Sequence, residues 1–388
     1  MREKSTKTIK IVVLAAFACG IFILLFNLFY NQMSGLGERY PSDMPIHLMV
    51  ALEGRGYSLL YRILAVVYNF LGGQAGVAVF QCVMVLVTWL GAAKLIKVMH
   101  DKGWTFLRAM FVSLPAVFVT AIYIPVLYPH FYSGQLVTQP YHNITFYGMR
   151  MFAVLTMIYF AKMFEKYLDG VKFIHWVLIA GLLACSTSVK PSFFYGFAVS
   201  LLIFLIIDFV KTRFKSKPFL KMVIIGLIVV PSLVIMAIQA SMLYGKPVES
   251  GGSGIAIIWG RSLFTQGFAT LFQLGCGIGF PCLVAIANFK NLKRFEKFNY
   301  VMFAVQFIIS IMFTETGRRQ GHGNFAWGVY GAAFFLFIIA FSRFADDLKD
   351  YKNKSKLYLI LGSILALAHI ASSVYYLIHM AVGGAYAA

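Results

Sequence analysis

Charge is scarce in this sequence, and acidic charge is the scarcest. Only 12% of the 388 residues are charged, and 14 Asp and Glu residues stand against 34 Lys and Arg residues. With 60% hydrophobic residues and 16% aromatic residues, the chain lies outside the soluble globular range and within that of polytopic membrane proteins. No polar stretch is long enough for a second, soluble domain, so residues 1–388 are predicted to form one transmembrane domain.

Cysteine is also rare, and its placement excludes two classes of site. The five cysteines lie in or beside apolar runs without a CxxC pair, so neither a disulfide framework nor a thiolate metal site is indicated. The net charge of +20 could suggest nucleic acid. Because the basic residues cluster between apolar runs, they indicate membrane topology instead, and no nucleic-acid partner is predicted.

Long apolar runs dominate what is present. A helix needs roughly 20 apolar residues to cross the hydrocarbon. The sequence predicts an all-α polytopic membrane protein with about eleven spans of this kind. They are roughly 11–30, 75–98, 104–125, 146–166, 172–188, 193–210, 221–243, 266–288, 298–314, 325–342 and 357–380.

The distribution of basic residues orients these spans. A cytoplasmic N-terminus places six connecting or terminal segments on one side, and they hold 25 of the 34 Lys and Arg residues. These segments carry mostly Lys with scattered acids, which is typical of simple connectors. The first run lacks a convincing cleavage site and is interpreted as a signal anchor.

One apolar stretch is too short to be a span. "GYSLLYRILAVVYNFLGG", residues 56–73, has about 15 residues of helical pattern and contains Arg62. Counting it as a span would also spoil the charge bias. We therefore predict a surface helix within a first external loop that covers 32–74.

The first external loop contains candidates for a general base. A carboxylate partly withdrawn from water, such as Asp43 or Glu38, can accept a proton from an alcohol. A structural interpretation competes, in which Ser42 or Asp43 only caps a helix that begins near Met44. The spacing of Asp43 and His47 could also bind a divalent cation, but no fixed ligand pattern is present, so no metal ligand is assigned.

The segment "TETGRRQGHGNFAWG", residues 314–328, offers the opposite charge. Arg318 and Arg319 have planar donor groups that suit phosphate oxygens, and His322 can donate to the same group. The competing interpretation pairs the arginines with Glu315 and anchors a helix end at lipid headgroups.

Other outer segments contain polar residues that could join this pocket. Lys190 lies close to the end of an apolar run, where a charge is costly and favours a functional role. His142 and Asn143 supply neutral donors, and Arg55 a further cation from the first loop. We predict that Arg318, Arg319, His322, Lys190, His142, Asn143 and Arg55 bind substrate.

The layout resembles the GT-C superfamily of membrane glycosyltransferases. The resemblance lies in the segments "ERYPSDMPIH", "GYSLLYRILAVVYNFLGG" and "QPYHNITFYGMR", and in a single anchor followed by about ten spans with polar outer loops. It implies a polyprenyl-phosphate-linked sugar as donor, and an acid in the first loop that acts as base or holds a metal. Carried over, that acid is Asp43, with Glu38 as the substitute. The first loop lacks the adjacent acids of the commoner pattern, so no cofactor is assigned and a divalent cation stays open.

The expected function is transfer of the sugar to an envelope glycan or lipid acceptor on the outer face of a bacterial plasma membrane. Three alternatives remain: a polymerase or ligase using a lipid-linked pyrophosphate, a flippase or transporter, and a non-catalytic assembly subunit. A transporter would be expected to have broken helices or charges near the bilayer midplane, and the sequence shows few signs of either.

Overall fold

The computed structural model describes residues 2–34, 39–100, 103–127, 140–245, 251–258, 268–319 and 323–384. Helices make up most of the described chain. They are α1 (Arg2–Met33), α2 (Met44–Leu52), α3 (Leu59–Phe70), α4 (Gly73–Met99), α5 (Phe106–Phe118), α6 (Ile144–Phe164), α7 (Phe173–Val189), α8 (Ser192–Lys211), α9 (Ser216–Gly226), α10 (Val230–Tyr244), α11 (Phe268–Ala287), α12 (Arg294–Met312), α13 (Ala326–Lys349) and α14 (Lys356–Ala381).

Eight helical stretches of the described chain are long and apolar enough to cross a membrane, with α9 and α10 counted as one stretch. The prediction of an all-α integral membrane protein is therefore confirmed at this level. We define the proximal end of the bundle as the end at which α1 begins, and the distal end as the end at which α1 stops. The core helix is α13, because 83% of the residues in its most apolar 18-residue stretch are buried.

The predicted spans 104–125, 172–188 and 266–288 correspond to shorter apolar helices, so the count of eleven stays a prediction. The clearest departure is α5, which has 13 residues. At 1.5 Å per residue it covers about 20 Å, roughly two thirds of the hydrocarbon thickness.

The chain after α5 continues in extended form inside the protein. After Phe118 the sequence is largely β-branched and leads to a proline, which disfavours helix. Serine side chains of α14 accept hydrogen bonds from backbone N–H groups of this extended segment. Thr120 N–H donates to Ser373 Oγ (3.0 Å), and Tyr123 N–H donates to Ser372 Oγ (2.9 Å). Non-helical backbone at membrane depth is tolerated where the protein supplies such partners.

A short helix occupies the stretch predicted to lie along the surface. It is α3, which has 12 residues and is therefore too short to span. Ser58 begins it by accepting a hydrogen bond from Leu60 N–H (3.2 Å) and donating to Val189 O (2.8 Å). Leu64 on one face is buried, whereas Val66 and Phe70 on the other are exposed.

Two strands lie at the distal end, and the sequence did not predict them. Strand β1 (Ser253–Ile257) pairs antiparallel with β2 (Phe313–Gly317). In this register Ile255 lies opposite Glu315. Residue 317 must be glycine, because its φ is +69° and a Cβ there would lie 2.3 Å from Gly252 O. The ribbon fixes the backbone on which Glu315 and the arginines after it are placed.

At the proximal end, the acids join helices to one another, so the interpretation of these segments as simple connectors is incomplete. The ion pairs are Asp208 with Arg294, Glu296 with Arg343, Asp346 with Arg108, and Asp347 with Lys354. Glu165 in addition accepts a hydrogen bond from the backbone N–H of Phe295 (2.8 Å). All of these contacts except that between Asp347 and Lys354 link elements distant in sequence.

Candidate functional site

Asp43 stands in the turn before α2, and its carboxylate does not cap that helix. Ser42 caps the helix instead, because its hydroxyl oxygen accepts a hydrogen bond from Met44 N–H (3.0 Å). The Asp43 carboxylate is therefore not used for capping. The backbone N–H of Asp43 donates to His142 O (3.1 Å) and ties this turn to the chain before α6. The Asp43 side chain is 49% exposed, so it is held at its base and open at its tip.

Asn143 orients the Asp43 carboxylate. As the N-cap of α6, its Oδ1 accepts hydrogen bonds from Phe146 N–H (3.0 Å) and the Thr145 hydroxyl (2.6 Å). The amide nitrogen is therefore turned the other way and donates to Asp43 Oδ2 (3.1 Å). Nε2 of His142 lies 3.9 Å from the same oxygen.

The two histidines beside Asp43 are neutral at neutral pH. Burial lowers the pKa of His47 and of His142 to about 4, and the nearby negative charge of Asp43 only partly opposes this effect. His47 is placed by a hydrogen bond between its Nδ1 and the Tyr61 hydroxyl of α3 (2.9 Å). Neither imidazole therefore adds positive charge for an anionic ligand.

Lys190 lies between α7 and α8 and is 7% exposed. Its Nζ donates to Thr145 Oγ1 at a long 3.5 Å and stands 4.0 Å from the centre of the Trp327 ring. No carboxylate of a described residue forms an ion pair with it. Burial lowers the pKa of Lys190 to about 7, and Asp43 opposes the shift. A buried ammonium without an acid partner is costly and suits an incoming anion.

Glu315 gathers a second polar group around Arg319. Its carboxylate is buried and accepts from Arg319 Nε (2.6 Å), from the Tyr244 hydroxyl (2.7 Å) and from the Asn324 amide. The Tyr57 hydroxyl also interacts with Arg319, and burial raises the pKa of Tyr57. This cluster joins the end of α10, the β2 strand and the chain before α3.

A cavity of about 580 Å³ connects these groups with the apolar part of the bundle. Lys190, Glu315, Arg319, Tyr57 and Asn324 line its polar end. Its remaining wall is apolar and comes largely from α8 and α10, for example Ala198, Val199, Leu233, Met236 and Leu243.

A second groove of about 280 Å³ shares Ala198, Val199 and Leu233 with the cavity and extends it along α8. Val199 and Leu233 are themselves exposed on the side of the bundle. The space is thus amphipathic and open along its apolar part.

The structure brings some predicted site residues together and leaves others apart. Asp43, His142, Asn143 and Lys190 are linked by the contacts above, and Arg319 lines the same cavity as Lys190. The others are elsewhere. Arg318 is exposed with its guanidinium against Gly251, and Arg55 pairs with Glu53 on the surface. Glu38 and His322 lie outside the described residues.

Several residues of the site were not singled out from the sequence as binding residues. They are Thr145, Tyr244, Asn324 and Trp327. Each belongs to an outer loop or helix end rich in Tyr and Trp, but no spacing connects them, because they meet only through the packing of distant helices. In the described part of the chain, no three His, Cys, Asp or Glu side chains come close enough to hold a metal ion.

Comparison with known proteins adds no further assignment. The chain matches no protein-family model, no curated protein and no solved structure.

Proposed function

We propose that the protein is a membrane glycosyltransferase of the GT-C kind that transfers a sugar from a polyprenyl-phosphate carrier to a glycan or lipid acceptor of the cell envelope. The observation that carries the proposal is the amphipathic cavity. Its apolar wall along α8 and α10 suits an isoprenoid tail, and its polar end contains Lys190 and Arg319. A lipid with an anionic head is the ligand whose chemistry matches both parts.

The charges at the polar end favour a single phosphate. Arg319 is compensated by its ion pair with Glu315, and His47 and His142 are neutral. Lys190 is thus the described cation of the cavity whose charge is not already compensated. A lipid phosphodiester has one negative charge and is matched by one ammonium, whereas a pyrophosphate has more. This difference favours the sugar-phosphate donor over the pyrophosphate of the polymerase alternative.

The proposed reaction is a single displacement at the anomeric carbon. The acceptor hydroxyl oxygen attacks that carbon, and its proton passes to the Asp43 carboxylate. The bond between the sugar carbon and the phosphate oxygen breaks, and the electron pair stays on the lipid phosphate. Lys190 stabilises this charge by a direct contact, and Arg319 adds a second donor. A phosphate leaves without protonation, so one carboxylate is sufficient and the anomeric configuration inverts.

A specific observation also favours a second candidate, translocation of a lipid-linked glycan. In the described chain, helix α5 ends after Phe118 and the backbone continues in extended form, and Arg150 is buried within α6 with 1% exposure. Arg150 Nη1 donates to Val117 O (3.2 Å) near the C-terminus of α5. A shortened helix and a buried charge within an apolar helix are features that a transporter would be expected to have. A cation at a helix C-terminus also has a structural explanation, so transfer remains the preferred function.

The test is envelope-glycan analysis of a strain that lacks the chain and is complemented with single variants. Asp43→Asn and Lys190→Met should abolish one glycan at normal protein levels. Arg318→Met is the matched control, because it removes an exposed cation next to Arg319, and it should leave the glycan intact. Unchanged glycan in Asp43→Asn would contradict the proposed transfer. Purified protein that moves the lipid-linked sugar across vesicles without transferring it would support translocation.

A further inference from the structure

A row of hydrogen bonds connects Lys190 with Asp43. Lys190 Nζ donates to Thr145 Oγ1 (3.5 Å), and the Thr145 hydroxyl donates to Asn143 Oδ1 (2.6 Å). The Asn143 amide then donates to Asp43 Oδ2 (3.1 Å). Every donor points in the same direction, from the cation towards the carboxylate. Hydrogen bonds aligned in this way polarise one another where the surroundings are poor in water.

The direction of the row is fixed by groups that stand outside it. Asn143 must present its oxygen to Phe146 N–H at the start of α6, so its amide nitrogen must face Asp43. The Thr145 hydroxyl has one proton, and because that proton is given to Asn143, its oxygen is left to accept from Lys190. Thr145 and Asn143 are 5% exposed each, so water competes little for these bonds.

We propose that Thr145 and Asn143 are positioning residues that couple the Lys190 ammonium to the Asp43 carboxylate. A phosphate bound at Lys190 would draw the ammonium protons towards itself and weaken the first bond of the row. The polarisation of the others would fall with it, and the carboxylate would become a better proton acceptor when the donor lipid is present. This catalytic consequence rests on the proposed transferase function, but the coupling itself can be measured without substrate.

The measurement is the titration midpoint of the Lys190 amine in purified full-length protein, from competitive acetylation followed by mass spectrometry. The charged or titratable groups around Lys190 are Asp43, His47, His142, Glu315 and Arg319. All of them are retained in the Thr145 variants. Thr145→Val removes the acceptor for the ammonium, so the midpoint should fall by about one pH unit. Thr145→Ser should restore it.

Two further variants test whether the effect passes along the row. Asn143→Asp keeps an oxygen that can cap α6 but replaces the donor amide with a second carboxylate, so the Lys190 midpoint should rise by about one unit. Asp43→Asn should lower the midpoint, and by a smaller amount when Thr145→Val is already present. Non-additivity of this kind is the signature of coupled residues.

Two results would overturn the proposal. One is a wild-type midpoint in Thr145→Val. The other is an Asp43→Asn effect of equal size with and without Thr145→Val, which would mean that the two charges interact only through space. Binding of farnesyl phosphate, followed by its protection of Lys190 from acetylation, tests the proposed function separately. If the Lys190 midpoints show no coupling but farnesyl phosphate still protects Lys190, only the positioning role of Thr145 and Asn143 is refuted. If farnesyl phosphate does not protect Lys190, the proposed lipid-phosphate site is refuted.

Discussion

Replacing Lys190 with methionine should stabilise the protein while removing the ligand contact. The folded protein lowers the pKa of this amine from 10.5 to about 7. At pH 7 the difference between these two values corresponds to roughly 4 kcal/mol of lost stability. The side chain is 7% exposed, so solvent screening reduces this figure little. Methionine has similar length and no charge to desolvate, but the cation–π contact with Trp327 is lost, which leaves a net gain of about 3 kcal/mol.

The pH dependence identifies the cause of this gain. In the unfolded chain Lys190 keeps its proton up to about pH 10.5, whereas in the folded protein it loses the proton from about pH 7. Between these values the unfolded state binds more protons, so wild-type stability rises with pH relative to the variant. The advantage of Lys190→Met should therefore be largest at pH 7 and below, fall by about 1.4 kcal/mol per pH unit above it, and disappear between about pH 9 and pH 10.

Equilibrium unfolding in mixtures of detergent and SDS at several pH values is the suitable assay, with thermal denaturation as a second readout. For 388 residues, an unfolding entropy of roughly 2.1 cal/mol/K per residue converts 3 kcal/mol to about 4 °C. Arg318→Met, at an exposed position, should change stability by less than about 0.5 kcal/mol. A destabilised Lys190→Met would mean that the ammonium has a strong partner in the folded protein. A gain that is independent of pH would mean that packing, not charge, is responsible.

Three further predictions concern the same end of the bundle. Arg319→Met should cost about 3 kcal/mol because it leaves Glu315 buried without its cation, and adding Glu315→Gln should recover part of that loss in the same unfolding assay. Farnesyl methyl phosphate, a phosphodiester whose single charge does not change in this range, should bind the wild type about tenfold more weakly at pH 8 than at pH 6, because Lys190 loses its proton across this range, and Lys190→Arg should bind equally at both when measured by calorimetry. Gly328→Ala should destabilise by about 1–3 kcal/mol, since the new Cβ would stand 2.0 Å from Gln306 Oε1; full stability in thermal denaturation would show that Gln306 can move aside at no cost.

The features that follow from local composition could be predicted from the sequence. Apolar runs of sufficient length became the long helices, such as α4 and α13, because hydrocarbon thickness imposes a minimum length. The run at 56–73 failed that minimum, and α3 is correspondingly short. Lys190 was a candidate because a charge beside an apolar run has a cost that structure or function must offset, and Asp43 was a candidate because it is an acid of the first external loop that could accept a proton.

The features that depend on contacts between distant segments could not be predicted. Arg318 and Arg319 are adjacent residues of the same type, so the sequence does not distinguish them. Only Arg319 donates a hydrogen bond to Glu315 and lines the cavity. Both arginines follow the β1–β2 ribbon, and the pairing of two short strands from different loops, which places them, has little local signal. Helix α5 ends early for a similar reason, because the serines of α14 that accept its continuation lie about 250 residues further along the chain.

The distribution of unpaired charge gives a further argument for the location of the site. At the proximal end, Asp208, Glu296 and Asp347 each meet a Lys or Arg from another element, and these buried charges hold the helices together. At the distal end, Lys190 is buried without a carboxylate partner among the described residues, and Asp43 is held through an amide with its tip open. Buried charges at the proximal end are thus compensated by partners within the protein, whereas the buried charge of Lys190 at the distal end is not compensated by any described residue. An uncompensated ammonium lowers the stability of the free protein, so its retention is best explained by an anion that binds there and supplies the missing charge.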